Sequence, residues 1–289
     1  MKFHPNTYDA IKWFWRKYAR LHTETVYINN EKNVYFTNKI KSDKIIIMLH
    51  GITADKYMWA IFSKKFTNKG YKVIIPDIPP FGESDYNPNI KYTINYQAEN
   101  LKKFMEKLNI KQAHISGNSM GGGIAAKFSI EFPQFTKSLI LFDNLGIYSV
   151  KRSEFLKELE KGNNLMLINN QKEFEKMLSL VYYKVPPIPC SVKKELTELN
   201  IKAKEKNKKV FDDLLKEEWN LEKELDKINV PALVIWGEND KVFDAETVEV
   251  LKKIKNVKIK IIKKCGHMPM NEKPFKTSSK VLEFLKSLD

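Results

Sequence analysis

The chain has 289 residues, of which 43% are hydrophobic and 12% aromatic, and its formal net charge is +15. This length suits one large α/β domain with a full hydrophobic core, and the apolar share excludes a disordered chain. Its two cysteines are too few for a disulfide framework, and no apolar run approaches the roughly 18 residues of a membrane span.

The positive charge is scattered along the chain and is not accompanied by any nucleic-acid-binding motif, so we expect no nucleic-acid partner. The positive charge would instead attract the protein to anionic lipid surfaces. Residues 1–5 lack the apolar stretch of a signal peptide, and Cys190 and Cys265 are most simply free thiols in a reducing compartment, although one bridge between them stays open. The expected location is cytoplasmic, with peripheral membrane association.

The first predicted element is an aromatic and basic helix at residues 11–21. Its composition suits a helix that lies on the headgroup layer of an anionic membrane. The alternative is a terminal helix that packs its aromatic side onto the domain. Because the stretch has no clean apolar face, the sequence does not separate the two.

Short β-branched runs then alternate with helical patterns, which predicts a mostly parallel sheet flanked by helices, an α/β fold. Residues 25–29 and 33–37 are predicted to form an opening hairpin. Further strands are predicted at 44–49, 71–75, 113–116, 137–142, 232–236 and 258–262, and helices at 56–68, 93–108, 120–132, from Ala245 onwards, and at 274–288.

Between about residues 146 and 229 glycine nearly vanishes and the pattern becomes helical. We therefore predict a core domain formed by residues 1–146 and 229–289. A helical cap, residues 147–228, is inserted into it after the sixth strand.

A G-x-S-x-G motif at residues 117–121 lies between a predicted strand and a predicted helix. A serine on such a tight turn has a strained backbone that exposes its Oγ, and the glycines let the turn close. A glycine-rich turn without chemistry is the alternative, but the strand–turn–helix context favours Ser119 as a nucleophile.

A serine nucleophile needs a general base, and in this arrangement the acid and the histidine follow the serine in the chain. Of five histidines, only His267 lies after Ser119. Asp240 follows a predicted strand and precedes His267, so it is the preferred acid; its neighbour Glu238 is expected to point elsewhere. Asp143, at the end of another strand, stays open as the second candidate.

The oxyanion of an acyl-transfer reaction needs backbone N–H donors near the nucleophile. His50 and Gly51 end a buried strand and open a loop, which places the backbone N–H of Ile52 as one donor, paired with that of Met120. His50 itself is expected to hold the loop by hydrogen bonding. Since the sequence has no metal-binding motif, we expect a mechanism without a cofactor or metal.

Together these motifs resemble the α/β-hydrolase fold family over essentially the whole chain, including its D-x-P-x-x-G-x-S turn at 77–84. The H-G-x-x-A-x-K-x-x-W loop at 50–59 is similar to that of a narrower group containing monoacylglycerol lipases and related bacterial lipases, although Ile52 stands where an aromatic residue is usual. The resemblance implies hydrolysis of medium- or long-chain acyl esters, with a lipid or other small acyl ester as the substrate. We expect Trp59, Leu145 and Ile147 to bind the acyl chain.

Two other activities stay open. Carbon–carbon bond hydrolases of the same fold share the G-N-S-M-G-G and K-C-G-H segments, but they usually have more glycines in the oxyanion loop and a Trp after the histidine. Here Ile52, Thr53 and Met268 occupy those positions, which favours an ester hydrolase. A catalytically silent binding protein of this fold is the minor alternative. Such proteins usually lack a triad residue, whereas this chain has all three candidates.

Overall fold

The computed structural model describes residues 7–150 and 153–288. Within these residues an eight-stranded sheet forms the centre of the molecule, in the order β1-β2-β4-β3-β5-β6-β7-β8. The strands are β1 (His22–Ile28), β2 (Glu31–Thr37), β3 (Ile45–Leu49), β4 (Lys72–Pro76), β5 (Ala113–Asn118), β6 (Thr136–Phe142), β7 (Ala232–Gly237) and β8 (Val257–Ile262).

The first hairpin, β1 with β2, is antiparallel, and so is the pairing of β2 with β4. All pairs from β4 to β8 are parallel. The predicted hairpin and the predicted mostly parallel sheet are therefore confirmed. Residues 1–5, from which we expect no signal peptide, lie outside the described residues.

Helices lie on both faces of the sheet. They are α1 (Thr7–Ala19), α2 (Ala60–Thr67), α3 (Ile94–Lys107), α4 (Met120–Glu131), α5 (Glu154–Glu160), α6 (Gln171–Val181), α7 (Cys190–Lys202), α8 (Lys204–Lys216), α9 (Thr247–Leu251), α10 (Pro269–Glu272) and α11 (Pro274–Lys286). The helix predicted at 56–68 begins instead as a 3₁₀ turn, Lys56–Trp59. Its first two amides are held by side chains, since Asp77 accepts from Lys56 and Asp55 accepts from Tyr57.

Two hydrophobic clusters fill the spaces on either side of the sheet. Strand β3 contributes Ile47 and Leu49 to one cluster and Ile46 and Met48 to the other, as alternation along a strand requires. The first cluster contains the buried faces of α3 and α4, and the second those of α2 and α11. A central strand such as β3, buried on both faces, reads as a continuous apolar run.

The segment between β6 and β7, for which we keep the name cap, carries α5 to α8. Its aromatic residues Phe155, Phe174 and Phe211 are buried in the first cluster, so these helices are packed onto the core. Helix α1 is tied to the same segment, because the carboxylate of Glu195 on α7 accepts the amides of Thr7 and Tyr8. In the described part of the chain, no helix has the length and apolarity needed to cross a bilayer.

Candidate active site

Ser119 lies on the turn between β5 and α4, with φ +56° and ψ −119°. Glycines on both sides make this turn possible. A Cβ on Gly117 would lie 2.0 Å from the carbonyl oxygen of Gly121, and a Cβ on Gly121 would lie 2.4 Å from that of Leu49. Both distances are far below van der Waals contact, so only glycine fits at either position.

Hydrogen bonds fasten this turn to the end of β6. The Ser119 N–H donates to Phe142 O (3.0 Å), and the Leu145 N–H donates to Ser119 O (3.0 Å). The serine therefore sits at the N-terminus of α4 on a rigid support, where the helix end favours a developing negative charge.

His267 and Asp240 form a buried pair. The Nδ1–H of His267 donates to Oδ2 of Asp240 over 2.8 Å. The other carboxylate oxygen of Asp240 accepts the amides of Val242 (2.7 Å) and Phe243 (3.2 Å). With Nδ1 donating, Nε2 carries the free lone pair, which is the tautomer that a general base needs.

Asn118 connects the serine turn to the histidine loop. Its Nδ2 donates to Phe142 O (3.2 Å) and to His267 O (3.1 Å). The backbone of His267 is thereby held against the residue that precedes Ser119. Sequence reasoning missed this role, because Asn118 counts only as a variable position in G-x-S-x-G and its partner lies 149 residues away.

Asp143, the second candidate for the acid, lies close to the pair but does not bind the histidine Nδ1–H. One carboxylate oxygen of Asp143, one of Asp240 and one ring nitrogen of His267 all lie within 4.8 Å of one another. Oδ1 of Asp143 accepts the Gly237 amide (2.8 Å), and the residue has φ +44°. Burial, and next the charge of Asp240, raises the pKa of Asp143 well above its usual range.

The loop after β3 packs directly against the turn that carries Ser119. A Cβ on Gly51 would lie 3.2 Å from Ser119 Cβ. His50 holds this loop: its Nδ1 donates to Gly51 O (2.8 Å) and its Nε2 accepts the Ile78 amide (2.9 Å). Burial lowers the pKa of His50, so the neutral ring keeps both bonds and serves as a structural clamp.

A buried ion pair at Lys56, where the same loop ends, also stabilises this loop. Lys56 Nζ lies 2.5 Å from Asp77 Oδ2 and 2.7 Å from Glu83 Oε1. Asp77 also accepts the amides of Lys56 and Glu83, each over 2.8 Å. Burial opposes the charge of Lys56, but the attraction of Asp77 and Glu83 outweighs it, and the pKa of Lys56 is raised.

The histidine loop is also attached to the cap. The His267 amide donates to Val181 O at the end of α6 (2.9 Å). The carboxylate of Glu272 accepts the amides of Gly266 (2.6 Å), Tyr183 (3.1 Å) and Lys184 (3.3 Å). Glu272 therefore joins the histidine loop to the segment after α6, a role without any local sequence signal.

The other predicted residues are distributed as follows. Met120 and Ile147 are buried in the first core cluster, and Leu145 packs against it. Trp59 belongs to the second cluster, on the opposite face of the sheet, where it is fully buried against Phe62 and Phe142. The structure thus does not bring Trp59 together with the other three.

Four side chains that entered the sequence argument lie outside the pair formed by His267 and Asp240. His114 Nδ1 bonds Ser138 Oγ (2.8 Å), and Glu238 accepts the Lys264 amide (3.1 Å). Cys190 and Cys265 are both free thiols.

An open cleft of about 280 Å³ lies in the cap, bordered by α6, α7 and the proline-rich segment between them. Its walls are both apolar and polar, and they include an ion pair between Glu175 and Lys193 (2.9 Å). The lining residues are Glu175, Leu178, Val185, Pro186, Pro187, Ile188 and Lys193.

The parallel sheet, the strained serine turn at the end of β5 and the histidine loop after β8 define an α/β-hydrolase. The chain belongs to the alpha/beta hydrolase fold family, whose model matches residues 44–274.

Among its relatives, Lipase 3 of Moraxella sp. (strain TA144) is 32% identical over 273 residues, which cover 92% of this chain and 85% of that protein. Monoacylglycerol lipase ABHD6 of Homo sapiens is 28% identical over 289 residues, covering 96% and 86%. A crystal structure of a membrane phospholipase A superposes with a TM-score of 0.94 at 32% identity, covering 97% of this chain and 90% of that one.

Proposed function

We propose that this protein is a carboxylic-ester hydrolase in which Ser119 is the nucleophile, His267 the general base and Asp240 the acid that orients it. The observation that carries the proposal is the 2.8 Å bond between His267 Nδ1 and Asp240, held next to the Ser119 turn by Asn118. The relatives named lipase and monoacylglycerol lipase support ester hydrolysis as the reaction.

The reaction proceeds in two steps. Ser119 Oγ attacks the ester carbonyl while Nε2 of His267 takes its proton, and the same nitrogen then protonates the departing alcohol. Water, activated by His267, hydrolyses the acyl-enzyme. Asp240 holds the ring in the required tautomer and stabilises the imidazolium that forms.

The backbone amides of Ile52 and Met120 stabilise the oxyanion in both steps. The close approach of Gly51 to Ser119 and the position of Met120 at the start of α4 support this assignment. Each such donor contributes roughly 3 kcal/mol to the transition state.

The proposed substrates are monoacylglycerols or similar esters with medium or long acyl chains. The names of the relatives support this class. The apolar side chains of Met120 and Ile147, which are buried, and of Leu145, which is partly buried and packs against the same cluster, suit an acyl chain. Trp59, on the other side of the sheet, has no part in this pocket.

The test is hydrolysis of p-nitrophenyl esters from acetate to palmitate by the wild type, Ser119→Ala and Asp240→Asn. We expect a maximum at medium or long chains, and a loss of at least about a thousandfold in kcat for Ser119→Ala. Ser191→Ala, an exposed serine on α7, is the matched control and keeps full activity.

Two results would contradict the proposal. Retention of most activity by Ser119→Ala would remove the serine from the mechanism. A folded wild type that neither cleaves any ester nor reacts with a fluorophosphonate would favour the silent protein, and cleavage of a carbon–carbon bond instead would favour the other hydrolase class.

We also propose that residues 11–21 make peripheral contact with an anionic membrane surface. On α1 the side chains of Trp13 and Phe14 are 56% and 58% exposed, whereas Trp15 packs against the core. Exposed aromatics beside Arg16 and Lys17 form the surface of an interfacial helix. Trp13→Ser with Phe14→Ser should weaken co-sedimentation with phosphatidylglycerol vesicles, and the exposed Leu215→Ser on α8 should not; equal effects would contradict the contact.

A further inference from the structure

One oxygen of the buried Asp143 carboxyl group has no hydrogen-bond donor in the described part of the chain. The residue has no exposed surface. Its Oδ1 accepts the Gly237 amide, but no group in the described part of the chain donates to its buried Oδ2. A buried carboxylate oxygen without a donor is costly, whereas a protonated oxygen needs only an acceptor.

Such an acceptor lies next to it. The carboxylate of Asp240 already receives three N–H donors, from Val242, Phe243 and His267. Two carboxyl groups in one desolvated site cannot both ionise at low cost, so the group with more donors takes the charge. Asp240 has three donors and Asp143 has one, which leaves the proton on Asp143.

We propose that Asp143 is neutral in the native enzyme and donates its carboxyl proton to Asp240, so that it acts as a positioning residue for the catalytic pair. This inference rests on the proposed roles of Asp240 and His267. The bond supplies Asp240 with a fourth donor and fixes the carboxylate that in turn orients His267. The proton stays on Asp143 during the reaction.

The surrounding groups favour the neutral form. The charges of Asp240 and Glu272 face Asp143, and both oppose a further negative charge. Cys265 also faces it, and burial, followed by the charge of Glu272, raises the pKa of that thiol. The ring of His267, which would gain from a negative neighbour, already has its Nδ1–H bonded to Asp240. Within residues 7–150 and 153–288, the Gly237 amide is the group that favours ionisation.

A neutral Asp143 makes folding depend on pH. The unfolded chain loses this proton near pH 4, at the ordinary pKa of about 4. Because the pKa is raised in the native state, the native protein must take up a proton above that pH, and stability falls as pH rises towards the raised pKa. Asp143→Asn keeps the donor and the acceptor of the neutral acid but needs no proton.

The first experiment compares urea unfolding of the wild type and Asp143→Asn at several pH values from about 5 to 8. We expect the ratio of their unfolding constants, wild type over variant, to rise about tenfold per pH unit. Asp226→Asn, which removes an exposed carboxyl group, is the control and should give a constant ratio. A constant ratio for Asp143→Asn would mean an ionised Asp143 and would overturn the proposal.

The second experiment separates positioning from mere structural support. Asp143→Asn should keep kcat/KM within about threefold at neutral pH, while Asp143→Leu, without donor or acceptor, should lose much of kcat. In the wild type, ionisation of Asp143 at alkaline pH removes the donor from Asp240, so kcat/KM should fall there, and Asp143→Asn should lack that fall. Identical profiles for the two proteins would contradict the role.

If Asp143→Asn does not fold, infrared spectroscopy of the wild type decides. The carbonyl stretch of a protonated carboxylic acid should persist at pH 8, and its absence would overturn the proposal. The test is independent of the proposed function: an inactive wild type with this band would contradict the ester hydrolase alone. An active, Ser119-dependent enzyme without the band would contradict only the role of Asp143.

Discussion

Lys56 carries a positive charge into the interior next to the proposed oxyanion loop. Its Nζ is bound by Asp77 and Glu83, and its side chain also lies over the ring of Phe36 at 5.0 Å. Asp77 is fully buried. The pair therefore ties the turn that begins at Lys56 to the loop after β4, and removing one partner would leave the other as an unpaired buried charge.

Lys56→Met should reduce the free energy of unfolding by about 3–5 kcal/mol, because Asp77 would remain charged without its partner. We also expect kcat to fall more than KM changes, since the loop that carries the Ile52 amide loses its support. Urea unfolding and ester kinetics measure the two effects. Lys102→Met, which removes a surface pair with Glu106 on α3, should change neither the free energy of unfolding nor kcat. If Lys56→Met also left both unchanged, the ion pair would not support the loop.

At this scale, the sequence predicts the proposed residues whose neighbours in the chain indicate their role. Ser119 is marked by its two glycines, and His267 by being the one histidine after it. Asn118 and Glu272 were missed because their partners are brought together only by the fold. The choice between Asp240 and Asp143 needed geometry, since both follow a strand and both lie close to His267.

Among the elements, the segment after α6 is joined to the loop after β8, although the two are far apart in the chain. A Cβ on Gly266 would lie 2.7 Å from the Tyr183 nitrogen, so the two backbones are in direct contact. The carboxylate of Glu272 lies at the same junction. The loop that carries His267 is therefore positioned by the cap as well as by the core.

Glu272→Ala should lower kcat/KM by roughly tenfold, because three amides lose their acceptor and the His267 loop gains freedom; this corresponds to about 1.4 kcal/mol in the transition state. Hydrogen exchange of residues 181–184 and 265–267 should increase together. Glu283→Ala, in an exposed pair with Lys280 on α11, is the matched control. An unchanged kcat/KM with faster exchange would show that this junction does not position His267 for the proposed reaction.

The sheet was predictable because its central strands are continuous apolar runs. Strand β3 was predicted at 44–49 and observed at Ile45–Leu49. Helix α10, Pro269–Glu272, was missed since four residues are too few for a periodic pattern. The placement of Trp59 also lay beyond the sequence, because a loop residue next to a motif can point to either face of the sheet.

For the whole molecule, the sequence left two uses of α1 open, and the structure divides its aromatic side chains between them. Trp15 packs on the second core cluster, while Trp13, Phe14 and Tyr18 are exposed. The net charge of +15 is a property of the entire surface, so it could attract any anionic particle. The proposed contact through α1 and an attraction through the net charge therefore predict different effects of substitutions on and away from α1.

Binding to phosphatidylglycerol vesicles should weaken strongly between 0.1 and 1 M salt, because the screening length falls from about 10 to about 3 Å. Each basic residue near the surface contributes about 1 kcal/mol. Lys17→Gln with Arg20→Gln on and just after α1 should thus weaken binding about thirtyfold at low salt. Lys255→Gln with Lys263→Gln, two exposed positions elsewhere, lowers the net charge equally and should have a much smaller effect. Equal losses in the two double variants would assign the attraction to the net charge and contradict a contact through α1.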